Sequence, residues 1–208
     1  MSTGPFRFPG SVYPIVDVAA CSSRTPLDLA EAVLAGGAKL VQLRAKQIST
    51  RDFCDLARAL LVLCGSHGAR LIVNDRTDIA RLTDAAGVHL GQTDLPPREA
   101  RRLLGADAVV GFSTHNLQQV KDAEALGCVD YLGFGPIFPT TTKRNADPTQ
   151  GLAGLRQARA ATRMQLVAIG GITPENAPEV LTAGADAVAM IGALAAAGDP
   201  GAIIRALG

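Results

Sequence analysis

Two cations, two carboxylates and a run of hydroxyls each stand just after a short apolar run in this chain, where a fold could bring them to one place. Arg44 and Lys46 close the stretch Gln42-Leu43-Arg44-Ala45-Lys46. In a chain of formal net charge +1, two such cations are a natural seat for a small polyanion such as diphosphate. Asp75 follows Asn74 at the end of one apolar run, and Asp94 lies just beyond the next, with Gln92 before it. Two carboxylates leaving neighbouring strands suit one hard cation, magnesium first, whose remaining octahedral positions go to phosphate oxygens and water. The alternatives are plain: a solvated basic loop, and aspartates that only cap helices.

Two further segments offer donors to phosphate. Thr140, Thr141, Thr142 and Lys143 end the long stretch that starts at Gly135-Pro136; long loops in compact barrels are commonly lids or binding segments. Gly170-Gly171 and Ile191-Gly192 follow two later apolar runs, and glycine there lets an anion approach backbone N–H groups near helix starts. A threonine-rich turn and tight-turn glycines are the competing readings. Ser113 ends another run. Of the histidines, His67 reads as surface and His89 as a structural residue inside an apolar run, while His115, two residues past Ser113, is the one kept as a site neighbour. No Ser-His-Asp or Cys-His set is apparent.

The elements that would position these residues alternate regularly. Apolar, β-branched runs occur at Val12 to Val16, Lys39 to Arg44, Leu71 to Val73, Val88 to Leu90, Ala108 to Phe112, Val129 to Phe134, Leu166 to Ile169 and Ala187 to Ile191. Between them lie helical patterns. Leu27, Ala30 and Leu34 recur at helical spacing behind Thr25-Pro26; Phe53, Leu56, Leu60 and Leu63 follow a Ser49 or Thr50 cap. Further helices are predicted over Arg76 to Asp84, Pro97 to Leu104, Leu117 to Leu126 and Leu152 to Thr162, behind Thr173-Pro174-Glu175, and over Pro200 to Leu207. Eight strand–helix units of roughly 25 residues predict an α/β fold, a single-domain (β/α)8 TIM barrel with its site at the strands' C-terminal ends. An open doubly wound sheet lacks its G-x-G-x-x-G turn after the first strand. The division predicted is a flexible segment over residues 1–10 and one barrel domain over 11–208.

Composition narrows the partners. With 208 residues, 48% hydrophobic and 19% charged, the chain fits one well-cored domain. Its weak net charge excludes long-range attraction to nucleic acid or an anionic membrane. No apolar run approaches the ~20 residues of a membrane helix. The start, without a basic leader or apolar run, reads as cytoplasmic. Cys21, Cys54, Cys64 and Cys128 are scattered, as reduced core thiols would be.

The motifs Gln42 to Lys46, Asn74-Asp75, Gly87-Val88-His89-Leu90-Gly91-Gln92 with Asp94, Ser113-Thr114-His115, Gly135-Pro136 through Lys143 and Ala168 to Ile172 resemble, in order and spacing, those of the thiamine phosphate synthase family. The resemblance runs from Tyr13 to the C-terminal helix. It implies a Mg2+-dependent transferase that joins a hydroxymethylpyrimidine diphosphate to a thiazole phosphate, or its carboxylated form, releasing pyrophosphate. It also implies roles: Gln42, Leu43, Arg44, Ala45, Lys46, Asn74, Ser113 and Lys143 for the pyrimidine diphosphate; Asp75 and Asp94 for magnesium; Thr140, Thr141, Thr142, Gly171, Ile191 and Gly192 for the thiazole phosphate. Arg44, Lys46, Ser113 and Lys143 would serve the chemical step. One departure is Ile191-Gly192, where the family often has a valine-serine pair and so an extra hydroxyl. The rival readings are a related thiazole tautomerase and a non-catalytic barrel sensing thiamine phosphates. Self-association into a homo-oligomer is left open.

Overall fold

A computed structural model of the chain describes residues 5–140 and 147–208. Eight parallel strands pair in chain order and close on themselves: β1 (Val12–Asp17), β2 (Leu40–Arg44), β3 (Arg70–Asn74), β4 (Gly87–Leu90), β5 (Val109–Thr114), β6 (Tyr131–Phe134), β7 (Gln165–Ile169) and β8 (Ala187–Met190). Closure leaves no sheet edge exposed. The helices follow in turn: α1 (Pro26–Ala35), α2 (Thr50–Ser66), α3 (Thr77–Thr83), α4 (Pro97–Leu104), α5 (Leu117–Leu126), α6 (Gly151–Ala161), α7 (Ala177–Thr182), α8 (Gly192–Ala196) and α9 (Pro200–Leu207). The expected single (β/α)8 barrel is what forms, and no helix among the described residues is long and apolar enough to cross a membrane.

Local chemistry sets the boundaries. Thr25 and Asp28 cap α1 reciprocally, each side chain bonding the other's backbone N–H, with Pro26 at the first helical position. Ser49 accepts from the Asp52 N–H to start α2. Several boundaries shift by one or two residues, and two differ for a reason seen in the structure. Thr173 does not start α7; residues 173–176 form a turn in which the Asn176 side chain accepts from the Thr173 N–H, and the helix begins at Ala177. The last strand stops at Met190, because a short helix, α8, starts at Gly192 before the closing α9.

Strand alternation sorts side chains into two layers. Leu43, Leu71, Val73, Val88, Leu90, Val110, Leu132, Phe134, Leu166, Ala168, Val188 and Met190 point outward and pack with Leu29, Val33, Phe53, Leu60, Val120 and Leu155 of the helices. Tyr13, Ile15, Leu40, Ile72, Val109, Tyr131, Val167, Ala187 and Ala189 fill the barrel interior. The same staple is used twice at the N-terminal ends. Arg101 bonds Asp130, whose carboxylate accepts from the Val110 N–H; Arg159 bonds Asp186, whose carboxylate accepts from the Leu166 N–H. Each fixes a helix, a strand entry and the neighbouring strand together.

The segment before β1, expected to be flexible, carries two rings that stopper this end of the barrel. Phe8 lies 5.0 Å from the Tyr131 ring and 5.3 Å from Tyr13, Phe6 stands 5.1 Å from Phe8, and Arg70 sits over Phe6. The Phe8 N–H donates to Gln165. Aromatic contacts of this kind each add about 0.5–1.5 kcal/mol beyond the area they bury.

Candidate active site

The opposite, C-terminal end of the barrel opens into a cavity of about 870 Å3, ample for a ligand of drug-like size. Gln42, Arg44 and Lys46 from β2 and its loop, Asn74 and Asp75 after β3, Asp94 after β4, Ser113 on β5, Thr140, Gly171, Ile191 and Gly192 all line it. Leu43 and Ala45 do not. Alternation turns Leu43 away from the barrel axis, and both are buried in the sheet–helix layer, so of the five-residue stretch only Gln42, Arg44 and Lys46 offer side chains to a ligand. Thr141, Thr142 and Lys143 lie outside the described residues.

The cationic side is built around Arg44. The register pairs Asp17 with Arg44 across β1 and β2, and the Asp17 carboxylate, only 2% exposed, accepts from Arg44 Nη1. Asp17 also accepts from the Ala19 N–H. A buried carboxylate on one side of the guanidinium fixes it, leaving its remaining donors for the cavity. Nothing in the sequence pattern marked Asp17, because its partner is 27 residues away and the pairing exists only through strand register.

Beside Arg44, Lys46 Nζ stands 3.1 Å from Asp75 Oδ2. Asp75 has φ +62, a left-handed backbone conformation uncommon for a residue with a side chain and concentrated at functional positions. Its N–H donates to the His89 carbonyl at 2.8 Å, which ties the end of β3 to β4. Burial and the neighbouring Asp94 carboxylate hold Asp75 above the usual carboxylate range, with Lys46 pulling the other way. Neither aspartate caps a helix: α3 and α4 start without a side-chain cap, and Asp94 instead accepts from the Gly91 N–H at 2.7 Å. The capping alternative therefore drops out.

Across the cavity, β7 is followed by Gly170 (φ +99) and Gly171 (φ +65). A Cβ on Gly171 would fall 2.6 Å from the Pro139 carbonyl oxygen, and one on Gly170 2.5 Å from Pro136. These glycines let the β6–α6 loop lie flat on the end of β7, where the Ile137 and Phe138 N–H groups donate to the Ile169 and Gly170 carbonyls. That contact carries Thr140 to the cavity. Gly192 has nothing within 4 Å of its would-be Cβ, so the position tolerates a side chain and its glycine is not forced by packing.

Two histidines share this wall. His115 bonds the Gly135 carbonyl at 2.8 Å and lies 3.5 Å from Asp147. His89, assigned to structure from its apolar surroundings, also faces the cavity. Its Nε2 is 2.9 Å from Ser113 Oγ and its Nδ1 2.9 Å from Tyr131 Oη. Desolvation pushes its pKa down to about 4, so it is neutral at pH 7. Alternation was the missed signal: with Val88 and Leu90 pointing outward, His89 between them must point in.

A closed parallel barrel with a cavity at the strands' C-terminal ends is the arrangement of (β/α)8-barrel enzymes of small-molecule substrates. The family model described as thiamine monophosphate synthase matches residues 12–194. The thiamine-phosphate synthase of Albidiferax ferrireducens is 49% identical over 189 residues, covering 91% of this chain and 86% of the relative. That of Laribacter hongkongensis is 46% identical, covering 95% and 93%. The solved thiamine phosphate pyrophosphorylase of Pyrococcus furiosus superposes with a TM-score of 0.84 at 34% identity, over 95% of this chain and 93% of its own. The chain belongs to the thiamine monophosphate synthase family and is a transferase of the thiamine-phosphate synthase type.

Proposed function

We propose that the cavity binds a hydroxymethylpyrimidine diphosphate against the β2–β5 side and a thiazole phosphate against the β7–β8 side, and that the two are joined there with loss of pyrophosphate. The observation that carries this reading is the division of one cavity into a cationic side, Arg44 and Lys46 beside paired carboxylates, and a glycine-lined side at Gly171 and Gly192. Two anionic ligands need two such places, and helix starts and glycine turns near the last strands of barrels are common phosphate seats.

The donor set fits magnesium. Among the described residues no group of three or more His, Cys, Asp or Glu could enclose a metal. Burial, and after it the neighbouring Asp94 carboxylate, nonetheless make Asp75 resist ionisation, with Lys46 as the neighbouring cation. A cation that keeps several waters and takes its other ligands from substrate phosphate matches two protein oxygens, and Asp75 and Asp94 would hold it. Bound there, magnesium supplies charge neutralisation on the diphosphate.

The protein's own groups do the rest. Arg44, fixed by Asp17, and Lys46 stabilise charge gathering on the departing pyrophosphate. Gln42, Asn74 and Ser113 hold the pyrimidine so that its exocyclic methylene faces the thiazole nitrogen. As the C–O bond to pyrophosphate breaks, the electron-rich aminopyrimidine bears the cationic character at that methylene, and the thiazole nitrogen forms the new C–N bond. The path needs no protein nucleophile, in keeping with a site in which His89 is neutral and bound to hydroxyls. A tautomerase has no use for Arg44, Lys46, Asp75 and Asp94 in one wall, and the eroded site that would mark a sensor is not what these four residues form. The test is to supply both substrates with magnesium and follow thiamine phosphate and pyrophosphate together. Equal amounts of both products, stopped by chelator, are expected; product formation unaffected by chelator would overturn the metal assignment.

A further inference from the structure

Five polar groups from five strands form one continuous line across the barrel interior. Gln42 Nε2 donates to Tyr13 Oη at 3.0 Å, Tyr13 Oη lies 3.0 Å from Tyr131 Oη, Tyr131 Oη 2.9 Å from His89 Nδ1, and His89 Nε2 2.9 Å from Ser113 Oγ. Only the two ends, Gln42 and Ser113, are the residues assigned to the pyrimidine. The strand register makes the line possible. His89 pairs with Gly111, and Gly111 with Tyr131; a Cβ on Gly111 would fall 2.1 Å from the Tyr131 ring and 2.5 Å from His89 Nδ1. The missing side chain on β5 is what lets the rings on β4 and β6 meet, 5.3 Å apart and nearly parallel.

Such a line has a direction. Each hydroxyl has one proton to donate, and a neutral imidazole has one donor and one acceptor. If Gln42 donates to Tyr13, then Tyr13 donates to Tyr131 and Tyr131 to His89 Nδ1. The imidazole proton then sits on Nε2 and is donated to Ser113, whose own proton is left for the cavity. At the other end Gln42 Oε1 has no hydrogen-bond partner among the described residues and is left as an acceptor. Gln42 thus offers its carbonyl oxygen as an acceptor beside the second Nε2–H, and Ser113 offers a donor; the Ser113 end reverses only if the whole line does.

We infer that Tyr13, Tyr131 and His89 are positioning residues that couple the two ends, so that the cavity presents an acceptor at Gln42 and a donor at Ser113. An aminopyrimidine, which offers an amino N–H and ring-nitrogen lone pairs, can answer both ends. The inference rests on the pyrimidine assignment made above. Specificity of this kind is strong, because a mismatched edge leaves polar groups unpaired in the site.

The direct test is the tautomer of His89 in the wild-type protein, read by long-range 15N–1H NMR on imidazole-labelled material. The Nε2–H form is expected; the Nδ1–H form would overturn the direction. Tyr131→Phe removes one link and keeps the ring. We expect mixed His89 tautomers, a KM for the pyrimidine diphosphate raised about tenfold and an unchanged KM for the thiazole phosphate. A merely structural role would lower the melting temperature without moving the tautomer, and unchanged tautomer and KM would overturn the coupling. Should Tyr131→Phe not fold, Tyr13→Phe breaks the same line one link earlier. Gln42→Ala separates the two readings: an unchanged pyrimidine KM there would remove the pyrimidine assignment itself.

Discussion

Replacing Asp75 by Asn should make the metal-free protein more stable while destroying its response to magnesium. The carboxyl of Asp75 is held above its usual range first by burial and then by Asp94. The folded state therefore binds that proton more tightly than the unfolded chain, and stability is lost as pH rises from the unfolded carboxyl range near ~3.9 through the raised folded value. Two unit charges about 4 Å apart interact with about 4 kcal/mol at an effective dielectric of ~20. Lys46, 3.1 Å from Asp75, offsets most of that, leaving a net penalty on the order of 1 kcal/mol. In a chain of this length about 2–4 °C of melting temperature corresponds to each kcal/mol. Scanning calorimetry at pH 7.5 with chelator should show Asp75→Asn melting about 2–4 °C above wild type, a gap that closes below pH ~4 where the carboxyl is neutral. Magnesium at about 100 times its Kd adds roughly 2.7 kcal/mol to a protein that binds it only when folded, or about 5–11 °C for wild type. The variant should not respond. An equal magnesium shift in both proteins would refute the assignment of Asp75 as a ligand, and a lower metal-free melting temperature would refute the charge argument.

Other expectations follow from single contacts. Asp17→Ala strands the Arg44 guanidinium beside a buried gap and should cost roughly 3–5 kcal/mol in urea unfolding, with a raised KM for the diphosphate substrate. Gly171→Ala meets both a φ of +65 and a carbonyl oxygen 2.6 Å from the new Cβ; a stability loss of about 1–3 kcal/mol and a weaker thiazole phosphate KM are expected, read by thermal melts and initial rates. His89 has its pKa pushed down to about 4 by desolvation, so the stability it contributes is present above its unfolded value near ~6.5 and is lost as pH falls through 4. Urea midpoints measured from pH 7 to 4 should drop by the equivalent of roughly 3 kcal/mol in wild type, and His89→Gln should flatten that limb.

Much of this architecture is legible in the sequence because it depends on local order. Helix caps at Thr25 and Ser49, the period-2 and period-3.6 patterns, and the placing of polar residues after each apolar run all act within a few residues. They sufficed to predict the barrel and to bring Gln42, Arg44, Lys46, Asn74, Asp75, Asp94 and Ser113 to one mouth. The resemblance names Leu43 and Ala45 along with their neighbours, whereas alternation turns Leu43 outward and both side chains join the outer core. The remainder depends on register. Asp17 meets Arg44, and Tyr131 meets His89, only because particular residues fall opposite one another across the closed sheet. Phe6 and Phe8 belong to the same group: they lie in a segment rich in glycine and proline and expected to be flexible, yet the barrel's floor supplies Tyr13 and Tyr131 for them to cover.

That aromatic floor has a bearing on traffic. With the barrel axis filled by packed rings at the N-terminal end, a ligand deep among Gln42, His89 and Ser113 has no passage through the barrel and must leave by the way it came. Two substrates would enter, and two products depart, through one doorway. The pyrimidine, seated deepest, would have to arrive before the thiazole covers it, and the larger product would have to clear the mouth before the next cycle could start.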